Sequence, residues 1–523
     1  MKTVRVLYHL ARADLIERIR RYSFLVMLGL VLWLGYLAAT GEFRLTIGVD
    51  YAGVVDSAWV GATMAMTTNC VLGLVGFYIV TGSVARDYIT GVGQIMATTP
   101  MSGRLYLVGK WLSNYAVLGI TVVVLAMAGI MMQLWFGQGR LDMVAMVSPL
   151  VHLSLPWLGL IAAVAVLFES VTWLRGGLGN AVYAVLFLIL FPASYLPLVG
   201  WTRDFRVNPF VDPAGMLIIG DSVSRSASAV YPVEAGFSFG ILGFSEFQLF
   251  PYLGIRWTAG ILASRLLLLL LAVALVMLAG RWFDRFNPAR LVPTRRKGAA
   301  AEPVPAPAVE PIPLSSVRLT PLAGASARFR FGALLVGEFK LFLKGQRWWW
   351  YAVAAGLMAA QLVSQYDALP HLLIVAWVWP TLILSGLGCR ENRLNTRQIV
   401  FSAPRPLSQL LAGWLPAALV IALLGSGAWA RFLLTGDLVA VLGWLIAIVF
   451  IPSLALALGT LTGSGKAFEA LYVLWMYLLT QGSTPAIDFA GLIPGSRFVV
   501  YAPAAAGLVA VATLARWRQL RAG

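Results

Sequence analysis

Read for hydrophobic period alone, the chain is a series of apolar runs separated by polar segments. Twelve runs predict membrane-crossing helices, near 23–40, 59–83, 112–134, 149–168, 180–198 and 257–280, and then 348–363, 372–388, 410–428, 439–458, 470–480 and 499–515. A run of about 20 apolar residues crosses a hydrocarbon core of roughly 30 Å as a helix. Helices are the expected form, because backbone groups in lipid must be satisfied within the segment. The eleventh run is the shortest. Two stretches carry a different pattern. VRVLYHLARADLIERIRR (4–21) puts Val4, Tyr8, Ala11, Leu15 and Ile19 on one helical face, with Arg12 and Arg20 among the charges around the rest. RFGALLVGEFKLFLKGQR (330–347) does the same with Phe331, Leu335, Phe339 and Phe342, and Lys340 on the polar side. An apolar stripe at spacings of three and four with a basic opposite face predicts a helix lying in the membrane interface.

Composition removes any soluble reading. The 523 residues are 60% hydrophobic and 12% charged, with a mean hydropathy of +0.82, against about 25% charged in soluble domains. The expected fold class is an all-α integral membrane protein with about twelve transmembrane helices. A net charge of +17 would also suit a nucleic-acid partner, but the distribution argues otherwise. With the N-terminus inside, 30 of the 39 Lys and Arg residues fall in cytoplasmic segments. This is the positive-inside bias; it predicts a multi-pass protein of the cell (plasma) membrane with both termini cytoplasmic, membrane lipid as a contact and no nucleic acid. The first apolar run follows a long basic leader without a small-residue cleavage site, so no separable signal peptide is expected. Two cysteines, Cys70 and Cys389, offer no disulfide framework, and His9, His152 and His371 share no ligand spacing, so no metal is expected.

Residues 290–327 form a Pro/Ala-rich tract that cannot build a core. It divides the chain into a first six-span part with its amphipathic helix (1–285), a cytoplasmic linker (286–327) and a second amphipathic helix with six spans (328–523). The parts echo one another at a constant offset of 304 residues, most clearly in two polar loops. Arg86 meets Arg390, Asp87 meets Glu391, Gln94 meets Gln398, Ile95 meets Ile399, Thr98 meets Ser402 and Pro100 meets Pro404; Leu107 and Gly109 meet Leu411 and Gly413. Polar loops rarely agree in Gln, Ser/Thr and Pro by composition alone, so an internal repeat is expected. Gly91 and Gly93 let the backbone turn, and Pro100 ends a short helix.

The loop text ARDYITGVGQIMATTPMSGRLYLVGKW (85–111), its echo REN…RQIVFSAPRPLSQ…AGW, the amphipathic stretch heading each part and DFAG at 488–491 resemble the membrane subunit of an ABC-2 type ATP-binding-cassette exporter. The resemblance covers essentially the whole chain. The second loop departs from it, with Asn395 opposite Gly91 and Trp414 opposite Lys110. The resemblance implies that the loops carry coupling helices docking on a separate ATPase. Arg86, Asp87, Gly91, Gln94, Thr98, Pro100, Arg390, Glu391, Gln398, Ser402 and Pro404 would then be the contact residues, with Asp87 and Glu391 facing a basic rim on the partner. The expected partners are two copies of a cytoplasmic ABC ATPase, which would hold ATP and Mg; this chain itself would bind no cofactor and perform no catalysis.

The nearest text to a phosphate loop, TLTGSGKAF (460–468), has Thr460 in place of the first Gly and Ala467 in place of the Ser or Thr after the Lys; it reads as a turn between helices. Two other classes remain open. A major-facilitator secondary transporter also has six plus six spans, but needs ionisable residues inside the bundle. Here Glu169 falls at a cytoplasmic end and Arg265 near the outer end of the sixth span, where it snorkels or meets an anionic group. A membrane-embedded transferase would cluster carboxylates on one face, whereas Asp204, Asp212, Asp221, Glu234 and Glu246 are spread along the long loop 199–256. That loop is expected to hold short helices capping the path. Trp348, Trp349 and Trp350 read as a lipid anchor. The favoured function is export of an amphipathic or hydrophobic substrate such as a peptide, lipid or drug.

Overall fold

The computed structural model describes residues 2–20, 43–48, 50–175, 177–198, 201–202, 205–231, 237–241, 247–284, 286, 330–344, 346, 348–394, 396–403, 405–480 and 485–522, with seven scattered residues between 24 and 36. Most of the expected first span, nearly all of the linker 286–327 and Pro404 lie outside the described residues. The protein is mostly helical. In chain order come α1 (Lys2–Ile19), β1 (Phe43–Ile47), β2 (Tyr51–Gly53), α2 (Ser57–Val80), α3 (Ser83–Ile89), α4 (Val92–Thr98) and α5 (Gly103–Phe136). Next are α6 (Met143–Pro149), α7 (Leu155–Ser170), α8 (Gly177–Tyr195), α9 (Met216–Ser228), β3 (Phe237–Ile241), β4 (Gln248–Phe250) and α10 (Ala259–Ala279). The C-terminal part holds α11 (Phe331–Leu343), α12 (Trp348–Val363), α13 (Leu369–Val378), α14 (Arg397–Phe401), α15 (Ser408–Leu424), α16 (Ser426–Thr435), α17 (Leu438–Thr462), α18 (Lys466–Thr480) and α19 (Tyr501–Ala522).

Among the described residues, seven helical segments are long and apolar enough to cross a membrane: Ser57–Tyr88, Gly103–Trp135, Met143–Ser170, Leu178–Leu198, Ala259–Ala279, Leu438–Thr462 and Phe498–Arg521. Counting α15 and α16 as one bent span makes eight. The expected runs near 348–363 and 470–480 form the shorter helices α12 and α18, and the run near 372–388 is helical in α13 only as far as Val378, with a single further turn at Thr381–Leu384. Polar residues just ahead of the apolar runs start the helices. Asp56 accepts the Trp59 N–H (2.8 Å), Asp142 those of Val144 and Ala145, and Asp437 that of Ala440. Ser102 and Thr258 accept the Leu105 and Ile261 N–H groups. Each side-chain oxygen satisfies a donor that the first helical turn leaves open.

Burial follows the apolar pattern. The α2 helix is apolar all round and is buried on nearly every side, as such a helix must be. Its glycines admit the neighbours: a Cβ on Gly73 would stand 2.7 Å from the Phe187 ring, and one on Gly61 2.5 Å from the Met146 backbone. At the exterior the order inverts. Leu266, Leu267 and Leu270 on α10 and Leu434 on α16 are exposed. A contiguous apolar exterior of this kind is what lipid, rather than water, accommodates.

The expectation of an all-helical chain is corrected by a four-stranded sheet of order β3-β1-β2-β4. β1 runs antiparallel to β2 and to β3, with Phe43 opposite Ile241 and Ile47 opposite Phe237, while β2 runs parallel to β4. Its strands are three to five residues long, too short for an alternating pattern to stand out, and the β1–β3 and β2–β4 pairings join segments nearly 200 residues apart. The sheet and α9 sit at the end of the bundle where α2 begins. Phe250 and Tyr252 pack edge-on against Trp59. Arg265 is also corrected. It neither snorkels nor stands free, but is buried and donates to the Asp212 carbonyl (2.7 Å) and the Pro213 carbonyl (2.9 Å), while the Asp212 side chain accepts the Ile218 N–H.

One helix is broken. α15 and α16 meet at 58° around Gly425, where an added Cβ would stand 2.6 Å from the Trp444 indole nitrogen. The backbone groups freed by the break are taken up by side chains. Gln361, fully buried on α12, donates to Leu424 O (2.9 Å) and accepts from Ala428 N (2.9 Å), while the Gly425 carbonyl, which keeps the Trp429 N–H (3.0 Å), also accepts from the Trp444 indole (3.0 Å). A non-aqueous surround leaves no cheaper solution. Gln361→Leu is expected to leave two buried backbone groups unpaired and to cost roughly 2–4 kcal/mol. A thermal unfolding midpoint in detergent equal to that of the parent chain would contradict this account of the break.

Candidate functional site

The first polar loop becomes the pair α3 and α4, at the end of the bundle away from the sheet. Two glycines make the corners, Gly82 at φ +95° and Gly91 at φ +74°. Gly93 has another role: a Cβ there would overlap the Phe286 ring, so it serves close contact rather than turning. The start of α3 is anchored by Glu169 from the end of α7, which accepts the N–H groups of Gly82 (2.6 Å), Ser83 (3.1 Å), Val84 and Ala85. Glu169, at the helix end expected from the sequence, is buried, because its carboxylate answers the open donors of a helix start.

Beneath the loop lies a closed ionic cluster. Arg86 pairs with Asp14 of α1 and with Glu17 (3.2 Å). Lys110, 2% exposed on α5, donates to Asp14 (2.9 Å) and lies 2.8 Å from Asp87. Ser113 and Tyr106 donate their hydroxyls to Asp14 and Asp87, both at 2.6 Å. Arg18 completes the set at 3.1 Å from Asp14 and reaches the Val80 carbonyl. Asp14, Glu17 and Asp87 thus balance Arg18, Arg86 and Lys110. Burial opposes ionisation of Asp14, but Arg18, Lys110 and the Ser113 hydroxyl outweigh it and hold the carboxyl well below the usual range. Leu10 of α1 packs on Gly109, where no side chain fits.

The second loop has the same plan with different parts. Arg390 lies 2.8 Å from Glu338 of α11, whose other oxygen accepts from Gln409. Glu391 is buried and takes its cation from Arg516 of α19 (3.2 Å). Arg516 stands in for the lysine missing at position 414; the Trp414 indole instead donates to Ser453 (3.0 Å). Asp87 and Glu391 are therefore engaged inside the protein and do not face outward as the sequence reading expected. Each buried cation needs its acid, because a buried charge left without a partner is strongly destabilising.

What the loops expose is their tips. Gln94, Thr98 and Pro100 are exposed, and so are Gln398 and Ser402. Between them Ile95 and Ile399 are 68% and 75% exposed. The capping bonds match as well: Thr98 donates to Ile95 O (2.7 Å) and Ser402 to Ile399 O (2.9 Å). Of the amphipathic-helix residues, Arg12, Ile19, Arg20 and Lys340 are exposed, while Leu15, Phe331, Leu335 and Phe339 are half-buried. Asp14 and Glu338 escaped the sequence reading, although each is an acid in a basic helix ahead of its apolar runs. Arg516 left a fainter signal, a loop acid with no cation at the repeat offset. TLTGSGKAF is the turn from α17 to α18, with Gly463 at φ +65°.

No protein-family model, no curated protein and no solved structure matches this chain.

Asp14→Ala leaves Lys110 and Arg86 facing each other without their shared acid, and is expected to cost about 3–5 kcal/mol. Adding Lys110→Met is expected to return part of that loss, measured as a double-mutant cycle on thermal midpoints; strict additivity would refute the coupling. Since the Asp14 carboxyl is depressed, its contribution is complete at neutral pH. It should fade only as pH falls below about 4, the range in which an unfolded Asp protonates.

Proposed function

We propose that this chain is the membrane subunit of an ATP-driven exporter of the ABC-2 type. The observation that carries the reading is the matched pair of short helices α4 and α14. Each presents an exposed isoleucine, Ile95 or Ile399, between exposed polar residues, and each is rooted by an Arg–carboxylate pair to the amphipathic helix ahead of it. An exposed apolar side chain on a rigid polar mount suits docking into a pocket on a partner. The buried roots would transmit the force, since they join the tip to α1 and α5 in one part and to α11 and α19 in the other. In this reading the chain has two six-span repeats, lies in the plasma membrane with both termini in the cytoplasm, and meets two ATPase subunits that hold ATP and Mg.

ATP-driven closure of the partners would tilt the loops and open a path between the two parts of the bundle. The apolar interior and its internally paired charges suit an amphipathic or hydrophobic cargo, a peptide, lipid or drug. The chain is then a transport subunit, with hydrolysis left to its partner.

The test is co-expression and co-purification with candidate ABC ATPase subunits from the same organism. Stable association and ATPase stimulation are expected, and Ile95→Asp with Ile399→Asp should abolish both while leaving the thermal midpoint of the membrane subunit unchanged. Absence of any association by the unaltered chain would overturn the reading, and full stimulation of the double variant would remove the isoleucines from the contact.

A further inference from the structure

The helix α18 belongs to two cores at once. Ala470, Val473 and Leu474 pack into the core of the N-terminal part, while Phe468, Tyr472, Met476 and Leu479 pack into that of the C-terminal part. Spacings of three and four on two opposite faces make this short helix the seam between the parts. Along most of its length the seam is apolar. At its first turn, on the loop end of the bundle, it is polar. Glu469, 7% exposed, accepts a hydrogen bond from Asn180 of α8 (2.6 Å). Lys466 donates to Thr81 at the end of α2 (3.2 Å), lies 4.0 Å from Glu469 and stands 6.0 Å from the Tyr78 ring centre. Tyr78 in turn donates to the Asn180 carbonyl (2.9 Å), which fixes the residue that Glu469 grips.

We infer that Glu469 and Asn180 form a latch that holds the two parts of the bundle together at the loop end. Apolar contact across a seam surrounded by lipid has little directional preference, because lipid tails solvate apolar side chains as well as other side chains do. A hydrogen bond between a buried carboxylate and a buried amide does have one, since parting leaves both groups unsatisfied. The latch therefore decides whether the loop end is shut. Its release as the step that opens a path rests on the proposed transport function; the latch itself does not.

The test uses the full chain in membranes without any ATPase, so its failure is separate from failure of the transport reading. The two natural cysteines are buried and are replaced by Ala. An Ala470→Cys reporter is placed at the seam and, in a second chain, an Ala447→Cys control in the C-terminal core; both positions are fully buried. With the latch intact, N-ethylmaleimide is expected to label the seam reporter slowly. Glu469→Leu or Asn180→Leu should accelerate it about tenfold or more, as befits loss of a hydrogen bond to a charged group from a local opening equilibrium. The double variant should be no faster than either single one, and the control should stay unreactive throughout. Unchanged seam labelling, fast labelling with the latch intact, additive effects, or equal acceleration at the control would each overturn the latch.

Discussion

A polar group inside this bundle must find its partner within the protein, because neither a packed apolar interior nor a lipid surround offers water in exchange. The placement of nearly every notable side chain follows from that constraint. Glu169 lies where four open N–H groups begin a helix, Gln361 and Trp444 lie where a helix breaks, and Arg265 lies where an irregular segment turns its carbonyls inward. None of these residues is free to act on a ligand without a backbone segment losing its support. They are the reason that bends and loops hold a single shape inside a medium that tolerates only satisfied backbone.

The same constraint explains how the two polar loops are mounted. An exposed loop on a membrane bundle has few apolar contacts to fix it, so its orientation depends on what its root can grip. Here each root is a largely buried network of opposite charges reaching back to an amphipathic helix. Removing the lysine from the second network and supplying Arg516 from the far end of the chain keeps the loop acid paired while changing which helix the loop is tied to. The loops match at their tips and differ in their linkage. A force applied equally to both tips would therefore reach α5 on one side and α19 on the other.

Much of this was legible in the residues. Apolar runs marked the helices, and the offset of 304 residues picked out Ile95 and Thr98 with their counterparts Ile399 and Ser402, whose exposure and capping bonds agree. Periodicity works for these because helix formation and burial are decided by neighbours a few positions away. It failed for the sheet, whose short strands become strands only by pairing with segments far along the chain. It also failed for the direction of charge: Asp87 and Glu391 read as outward-facing because loop acids usually are, until Lys110 and Arg516 arrive from other helices.

The sequence by itself determined the medium, the largely helical class and the two loops, since each depends on composition or on residues close in the chain. Only the tertiary structure decided which charges meet, where α18 divides its faces between two cores, and which acid lies at the seam. Those outcomes turn on contacts between residues hundreds of positions apart, such as Asn180 with Glu469. A carboxylate and its partner look alike in the sequence whether they end up paired in the interior or solvated at the surface; the helix packing that excludes water is what distinguishes them.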